Sequence, residues 1–499
     1  MRILNSSMQR ELERRAVSTL GLSYLDLTRR AAEATFQCIK DFEIDTTHTV
    51  ILCGPGGNGG DGFALSTLLS NEGTNVTVVL CCGTPKTEVS AQLMREAITK
   101  RIQIVSLEDH APFIQSTLAS ATLIVDCVFG IGQHRALSSE LQVLFKKANE
   151  SQAMRISVDV PSGVCSDSGM LAEGAFHPEM TVCFLGDKPA SVYKESVLPF
   201  GKTVTYDLSL PESLLNESPY AQEYSDTSLS LLLPERSPIA HKGTYGKLSV
   251  FAGCSRYRGA ASIATKAAYL SGVGLVELNS CEEALSSASV FVPEAIFRSF
   301  PSPNDVLDSI HKSTAVLAGC GLEQSSFTNE MIESLVSKCK VPLVLDAEAL
   351  NVVSSNPEML HGRPGDTILT PHLGEFSRLS GIKTDLIRED RIGYALQFAE
   401  RYGIYLVLKS ENTVIATPDG RFWIDKGGSS GLAKAGSGDL LAGLIAGYVS
   451  SDLSSEQAAI AGVLTHSGSS LITEQDTGIR AMTATEVLNH VPRYLAKIN

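Results

Sequence analysis

"HTVILCGPGGNGGDGFALSTLLSNEG", residues 48–73, decides the fold. "HTVILC" reads as a buried β-strand. "ALSTLLSNEG" reads as a helix that ends at Gly73. Between them glycine fills six of the ten positions 54–63. Strand, glycine loop and helix form the layout that wraps a backbone around a phosphate. Gly54, Gly56 and Gly59 fit G-x-G-x-x-G. A dinucleotide fold also needs an acid at the end of the second strand to hold a ribose hydroxyl. Here "VTVVL" runs into "CCGTP" with no acid, so the ordinary dinucleotide reading fails. Asp61, expected where the helix begins, is an odd neighbour for a phosphate.

Two further strand ends share this geometry. "LIVDCVFGIG" carries Asp126 before the glycine loop Gly130 and Gly132. "ISVDVPSG" ends in Asp159, followed by Ser162. In a doubly wound sheet the carboxyl ends of the strands line one crevice. Asn58, Asp126 and Ser162 then gather at one edge, an oxygen-only set that suits a hard cation rather than zinc. Asp159 faces the same crevice as a candidate acid or base. Singly, Asp61 reads as a helix cap, Asp159 as a turn former and Lys188 of "FLGDKPAS" as a solvated lysine. Their joint placement at strand ends favours a site.

The second half carries "SSGLAKAGSGDLLAGLIAGYV", residues 429–449. A glycine turn leads straight into an apolar helix. The N–H groups of Gly436, Ser437 and Gly438 are expected to converge on one spot with the helix dipole behind them, an anion hole suited to a phosphoryl group in transfer. Asp439 is placed to take a proton from an attacking hydroxyl. The competing reading is a helix capped by Asp, with glycines for packing. "LVLKSENTVIATPDG" reads as strand, loop, strand, with Lys409 and Thr413 facing the loop. "ILTPHLGEFSRL" sets His372 and Glu375 after a strand. "LDAEALN" puts Asp346 and Glu348 at another strand end, and a glycine turn enters a helix at Gly259.

Strand-like and helix-like runs alternate from end to end, the signature of α/β layers with parallel sheets. The chain has 499 residues, 43% hydrophobic and 19% charged, and is expected to divide into two domains. The expected bounds are 1–215 and 229–499, with a polar, proline-containing linker over 216–228. A formal net charge of -14 argues against a general nucleic-acid surface. No apolar run is long enough to span a bilayer, and the charged start lacks a signal-peptide core. The 11 cysteines form no C-x-x-C pairs and read as buried thiols in a reducing cytoplasm.

"GNGGDGF", "DCVFGIG", "VDVPSG" and "GDKP" resemble the N-terminal domain of the bifunctional NAD(P)H-hydrate repair enzymes, over roughly the first 210 residues. The resemblance implies a Rossmann-like doubly wound sheet that interconverts the R and S epimers of hydrated NADH or NADPH (NADHX and NADPHX) at nicotinamide C6, with potassium in the site. It implies hydrate contacts from Gly57, Asn58, Gly59, Gly60, Asp61, Gly130, Ile131, Gly132, Gln133, His134, Arg135, Ala136 and Asp159. Potassium is then held by Asn58, Asp126 and Ser162, Asp159 is the acid/base and Lys188 its assistant. The family usually has Asn at Gly57, Thr at Ile131 and Gly at Ala190.

The later motifs, in the order HKG, LDA-ALN, TPH-GE, LK--NT and GSGD, resemble the ribokinase-like dehydratase domain of the same enzymes. That likeness implies dehydration of the S epimer with ADP, or less readily ATP, and magnesium. Hydrate contacts are expected from Ala260, Gly321, His372, Leu373, Gly374, Glu375, Phe376, Ser377, Arg378 and Asp439. Nucleotide contacts are expected from Lys409, Ser410, Glu411, Asn412 and Thr413, and from Ser429, Ser430, Gly431, Leu432, Ala433, Lys434, Ala435, Gly436, Ser437 and Gly438. Ser410 and Ser437 stand where the family often has Gly and Thr. No nucleic-acid or membrane partner is expected, and a homo-oligomer is expected from the family. The alternative is a ribokinase-like kinase for a vitamin-precursor alcohol, fused to a non-catalytic binding or dimerisation domain.

Overall fold

The computed structural model describes residues 2–132, 136–193, 197–216, 221–222, 226–303, 305–425 and 427–498. The chain forms two compact units, Met1–Ala221 and Gln222–Asn499. The span read as a linker includes the start of a helix, Asp226–Leu232. Part of that span, 217–220 and 223–225, lies outside the described residues.

The first unit is a parallel sheet of β1 His48–Cys53, β2 Asn75–Leu80, β3 Gln103–Ser106, β4 Leu123–Cys127, β5 Met154–Val158, β6 Met180–Phe184 and β7 Lys202–Tyr206. Its order is β3-β2-β1-β4-β5-β6-β7, parallel at every pairing. The order reverses between β2 and β4, so a crevice opens at the carboxyl ends of β1 and β4. Helices α1 Ser6–Leu20, α2 Tyr24–Asp41 and α3 Gly57–Asn71 belong to this unit. The glycines of the first loop answer to backbone crowding. A Cβ on Gly54 would lie 1.9 Å from the Val128 carbonyl oxygen, and one on Gly59 2.0 Å from that of Gly54.

Three strands here fall outside the sequence reading: β3, β6 and β7. β3 and β7 are edge strands with partly exposed residues, so their hydrophobic runs are weak. β6, "MTVCF", is fully buried but short. Asp61 corrects another expectation. The helix starts at Gly57 with Gly56 as its cap and no side-chain capping bond, so Asp61 sits in the second turn and caps nothing.

The second unit is a sheet of β8 Lys247–Phe251, β9 Leu275–Ser280, β10 Ile296–Ser299, β11 Ala315–Ala318, β12 Leu343–Leu345, β13 Thr367–Leu369, β14 Tyr405–Leu408, β15 Val414–Ala416 and β16 Phe422–Ile424. Its order is β10-β9-β8-β11-β12-β13-β14-β15-β16. Pairing is parallel up to β14, and the last two strands return antiparallel. Helices α4 Arg258–Leu270, α5 Leu373–Ser380, α6 Ser437–Ser450 and α7 Ser455–Thr477 position its site. Helix α6 lies close against α4 because its glycines allow it. A Cβ on Gly443 would sit 2.3 Å from the Ala264 carbonyl oxygen, and one on Gly447 2.5 Å from that of Ala268. All 11 cysteines are free thiols and most are buried.

Candidate active sites

In the first unit a cavity of about 650 Å³ opens at the sheet's reversal point. Pro55, Gly57, Asn58 and Asp61 line it from the first loop and α3. Phe129, Gly130, Ile131 and Gly132 line it from the loop after β4, and Asp159 from the loop after β5. Asp159 adopts φ +67°, a left-handed conformation rare for a non-glycine residue and a form of strain that clusters at functional sites. Its carboxylate pairs at 3.0 Å with the ammonium of Lys188. Lys188 is 0% exposed, against its reading as a solvated lysine. It also donates to the carbonyls of Phe184 and Gly186 at 2.9 and 3.1 Å. Burial pulls the Lys188 pKa down, but Asp159 more than offsets this and the net shift is upward. Lys188 is thus a fixed positive charge behind Asp159.

Asp126 is fully buried and bonded on both oxygens. Oδ1 accepts from the Ser162 hydroxyl at 2.6 Å and Val128 N–H at 3.1 Å. Oδ2 accepts from Ser157 Oγ at 2.9 Å and Ser162 N–H at 2.8 Å. Burial pushes its carboxyl up to about 6 despite these bonds. Ser162 Oγ accepts from Phe129 N–H at 2.9 Å. Asn58 donates its amide N–H to the Phe129 carbonyl at 2.8 Å, which leaves Oδ1 available. A Cβ on Gly130 would lie 3.7 Å from that Oδ1 and 3.3 Å from Asp159 Oδ2. The glycine therefore keeps a gap beside Asn58 and Asp159, and Phe129 links Asn58 to Ser162, and through it to Asp126, by its carbonyl and N–H. Burial, then the charges of Asp159 and Glu13, raises Asp61 well above the usual carboxylate range. Ile131 packs on the apolar cluster that includes Ala190. Gln133, His134 and Arg135 lie outside the described residues.

Sequence reasoning missed Gln9, Arg10 and Glu13 of α1, which line the same cavity. The sequence carries no signal for them: only the structure shows Gln9 buried, one turn before Glu13, on a face shared with Leu12 and Ala16.

In the second unit the carboxyl ends of β11, β12, β13 and β14 meet the N-terminus of α6. Lys409 donates to Asp346 Oδ1 at 2.7 Å, and the Thr370 hydroxyl donates to the same oxygen at 2.8 Å. Burial lowers the Lys409 pKa, but Asp346 and Glu375 reverse this to a net rise. Ligand atoms of Cys320, Asp346 and Asp439 lie within 4.8 Å of one another. Burial first, and the Asp346 charge second, push Asp439 up to about 6. A Cβ on Gly438 would lie 3.2 Å from Lys409 Nζ and 3.6 Å from Asp346 Oδ2, so the start of α6 is open to these two groups. Ser437 N–H donates to Lys434 O at 3.4 Å, so the expected convergence of three amides loses one. Buried His466 of α7, absent from the sequence reading, is held near 4 by burial and then by the Lys409 charge; it is neutral at physiological pH.

The remaining expected residues divide into exposed and structural ones. His372 caps α5: its Nδ1 accepts from Gly374 and Glu375 N–H at 3.0 and 3.3 Å, and Glu375 accepts from His372 N–H at 2.8 Å. Phe376 is fully buried against Phe398, and Arg378 donates to Asn351. Gly321, φ +65°, approaches Ala260, where a Cβ would come within 2.6 Å of the alanine methyl. Ser410 donates to the Asn412 carbonyl, and buried Asn412 donates to the Asp425 carbonyl. Glu411 pairs with Arg391. Ser429 caps the short turn Ser430–Leu432. Lys434 donates to the Arg480 and Met482 carbonyls.

Residues 25–190 match the family described as YjeF-related protein N-terminus, and 248–493 match NAD(P)H-hydrate dehydratase. A bifunctional NAD(P)H-hydrate repair enzyme of Thermofilum pendens is 30% identical over 99% of this chain and 96% of its own. Its counterpart from Escherichia coli is 31% identical over 96% and 91%. The crystal structure of the ADP/ATP-dependent NAD(P)H-hydrate dehydratase from Bacillus subtilis, co-crystallised with ATP and Mg2+, covers 56% of this chain and 99% of its own. It has 28% identity and a TM-score of 0.50. With both regions matched in order and relatives aligned along nearly the whole chain, the chain belongs to the bifunctional NAD(P)H-hydrate repair enzymes.

Proposed function

We propose that the first unit epimerises the R and S forms of NADHX and NADPHX, and that the second dehydrates the S form with ADP as phosphoryl donor. The observation that carries this is the Asp346–Lys409 pair set under the α6 N-terminus beside Asp439. A fixed ammonium and a helix N-terminus stabilise a transferring phosphoryl group. A carboxylate beside them takes the proton of the attacking hydroxyl.

Hydroxide leaves a nicotinamide ring poorly. Asp439 removes the proton from the C6 hydroxyl as that oxygen attacks the donor's terminal phosphoryl group. Lys409 faces the charge that develops there. Donation from the ring nitrogen then expels phosphate as an N1–C6 double bond forms, and loss of a C5 proton returns that pair to N1 as the C5–C6 double bond forms, which restores the reduced nucleotide. Segments 409–413 and 429–438 are proposed to hold the nucleotide, through backbone where side chains such as Asn412 are buried. The 372–378 segment, Ala260 and Gly321 are proposed to hold the hydrate. The Cys320, Asp346 and Asp439 cluster does not fit a protein-held magnesium, because a thiol is a poor ligand for it and Asp346 is committed to Lys409. Magnesium is proposed to arrive with the donor phosphates, whose charge it neutralises.

In the first unit Asp159 is proposed as the acid/base, oriented by its pair with Lys188. Asn58, Asp126 and Ser162 would hold potassium, whose charge supplies electrostatic stabilisation to the bound hydrate. The test is to supply mixed R and S hydrates with ADP or ATP and follow both epimers and the reduced cofactor. Stable accumulation of a phosphorylated alcohol would favour the vitamin-kinase alternative. Recovery with ATP but not ADP would overturn the donor assignment.

A further inference from the structure

Helix α1 is tied to the segment that supplies Lys188. Leu4 N–H donates to the Asp187 carbonyl at 2.8 Å, and Asp187 N–H to the Arg2 carbonyl at 2.7 Å. Ser6 N–H and its hydroxyl donate to the Asp167 carboxylate at 2.8 and 2.5 Å. So anchored, the helix presents Gln9, Arg10 and Glu13 to the cavity that holds Asp159. Gln9 is 3% exposed, and its amide donates to Glu13 Oε1 at 3.0 Å. Gln9 Oε1 is buried with no hydrogen-bond partner among the described residues. A buried amide oxygen left unbonded in a ligand-sized cavity is an acceptor waiting for a ligand donor.

Resting on the epimerase reading above, we propose that Glu13 is a second catalytic acid–base group of the first site, working with Asp159, and that Gln9 positions it. In inversion by elimination and re-addition at C6, the hydroxyl leaves one face and water enters the other. One carboxyl group cannot serve both faces. Four carboxyl groups, Glu13, Asp61, Glu88 and Asp159, share the cavity, and the buried ammonium of Lys188 pairs with Asp159. Asp159, paired with that ammonium, is therefore assigned as the proton acceptor. Burial raises Glu13; the Gln9 bond and Lys188 and Arg10 lower it, while Asp159 raises it further, for a net rise. Asp61 of α3 faces both from the opposite element, and Glu88 also lines the cavity. Glu13 is thus suited to start as the acid.

Glu13 gives its proton to the C6 hydroxyl oxygen as the C6–O bond breaks. The bonding pair stays on that oxygen, water leaves, and the N1 lone pair forms an N1–C6 double bond. Water then adds to the other face of C6. The π pair returns to N1, and Asp159 takes the proton of the entering water. Proton exchange with solvent resets both carboxyl groups, and no co-reactant is consumed. The reverse direction uses the same groups in the opposite protonation states.

The full chain and its Glu13→Gln, Glu13→Asp and Asp61→Asn variants are assayed for R-to-S conversion across pH, without nucleotide donor. Wild type is expected to give a bell-shaped kcat/KM profile. Glu13→Gln is expected to lose about 10²–10⁴-fold and the alkaline limb, with its melting temperature and S-epimer dehydration unchanged. Glu13→Asp, which keeps the acid, is expected to recover part of the rate and the limb. In heavy-oxygen water, wild-type turnover is expected to place label at C6 above uncatalysed exchange. Normal epimerisation by Glu13→Gln, equal loss in Gln and Asp, loss of the alkaline limb in Asp61→Asn instead, or unlabelled product would each overturn the proposal. Absence of epimerisation in wild type would instead refute the epimerase reading itself.

Discussion

Replacing Gly438 with Ala separates catalysis from stability in the second unit. Gly438 is the second residue of α6, and a Cβ there would sit 3.2 Å from Lys409 Nζ and 3.6 Å from Asp346 Oδ2. The first contact is tight by a few tenths of an ångström, but its partner is the end of a flexible side chain. Alanine in a helix gains up to about 1 kcal/mol over glycine. The two effects nearly cancel, and a net change of about 1 kcal/mol moves Tm by only about 2–4 °C in a unit of this size. Catalysis has no such compensation. The methyl group fills the space between the start of α6 and the Lys409 ammonium, where the transferring phosphoryl group must lie. Misplacement near 1 Å costs about 10²-fold in rate. Gly438→Ala is therefore expected to lose about 10²-fold in kcat/KM for S-epimer dehydration, with Tm within a few degrees of wild type. Both are read on one preparation, by the absorbance of reduced nicotinamide and by thermal unfolding. Dehydration within twofold of wild type would refute the placement of the phosphoryl group at this helix end.

Asp439→Asn keeps the side-chain size but removes the base; dehydration is expected to fall about 10²–10⁴-fold while epimerisation, measured by resolving the two hydrates, continues. Asp439 must be ionised to act, and its carboxyl is raised to about 6, so dehydration is expected to rise with pH through about 6 and level above it. Asp346→Asn removes the negative charge that helps hold this pKa up and leaves the Lys409 charge, so the acid limb is expected to move to lower pH; a limb that stays or moves up would contradict that electrostatic account. Gly443→Ala drives a methyl to 2.3 Å from the Ala264 carbonyl oxygen, a clash with backbone rather than a mobile side chain. It is expected to destabilise the second unit by about 1–3 kcal/mol, seen as a lower melting transition; an unchanged transition would refute the close α4–α6 packing.

The central strands were legible because burial on both faces forces continuous apolar runs, as in "TVILC" and "PLVLDA". Edge strands β7 and β10 carry exposed residues and gave no such run. The strand-end acids Asp126 and Asp159 and the turn before Asp439 were legible because glycine marks backbone that must come close. The same logic misled for Asp61, since glycine-rich "GNGG" forms the first helical turn rather than preceding it. The Asp346–Lys409 pair joins strand ends far apart in sequence, so each residue could be suspected but not their bond. Gln9 and Glu13 were invisible because "MQRELERRA" has the composition of a solvated helix; only docking of α1 turns its polar side inward. His466 lies in an apolar helix interior with no local feature to mark it.

The central claim is that two independent sites act in sequence, the first supplying the S epimer to the second. The most direct test mixes two inactivated full-length variants, Asp159→Asn and Asp439→Asn, with both hydrates and donor. Asparagine tolerates the left-handed backbone at 159, and Lys188, which loses its counter-charge, keeps the Phe184 and Gly186 carbonyls as acceptors; thermal unfolding of the variant checks that it is folded. Alone, Asp159→Asn is expected to consume the S form and then slow to the uncatalysed epimerisation rate, and Asp439→Asn to equilibrate the epimers without forming reduced cofactor. Together they are expected to restore complete and rapid recovery of NADH. A mixture that still leaves the R form to decay at the uncatalysed rate would contradict the account.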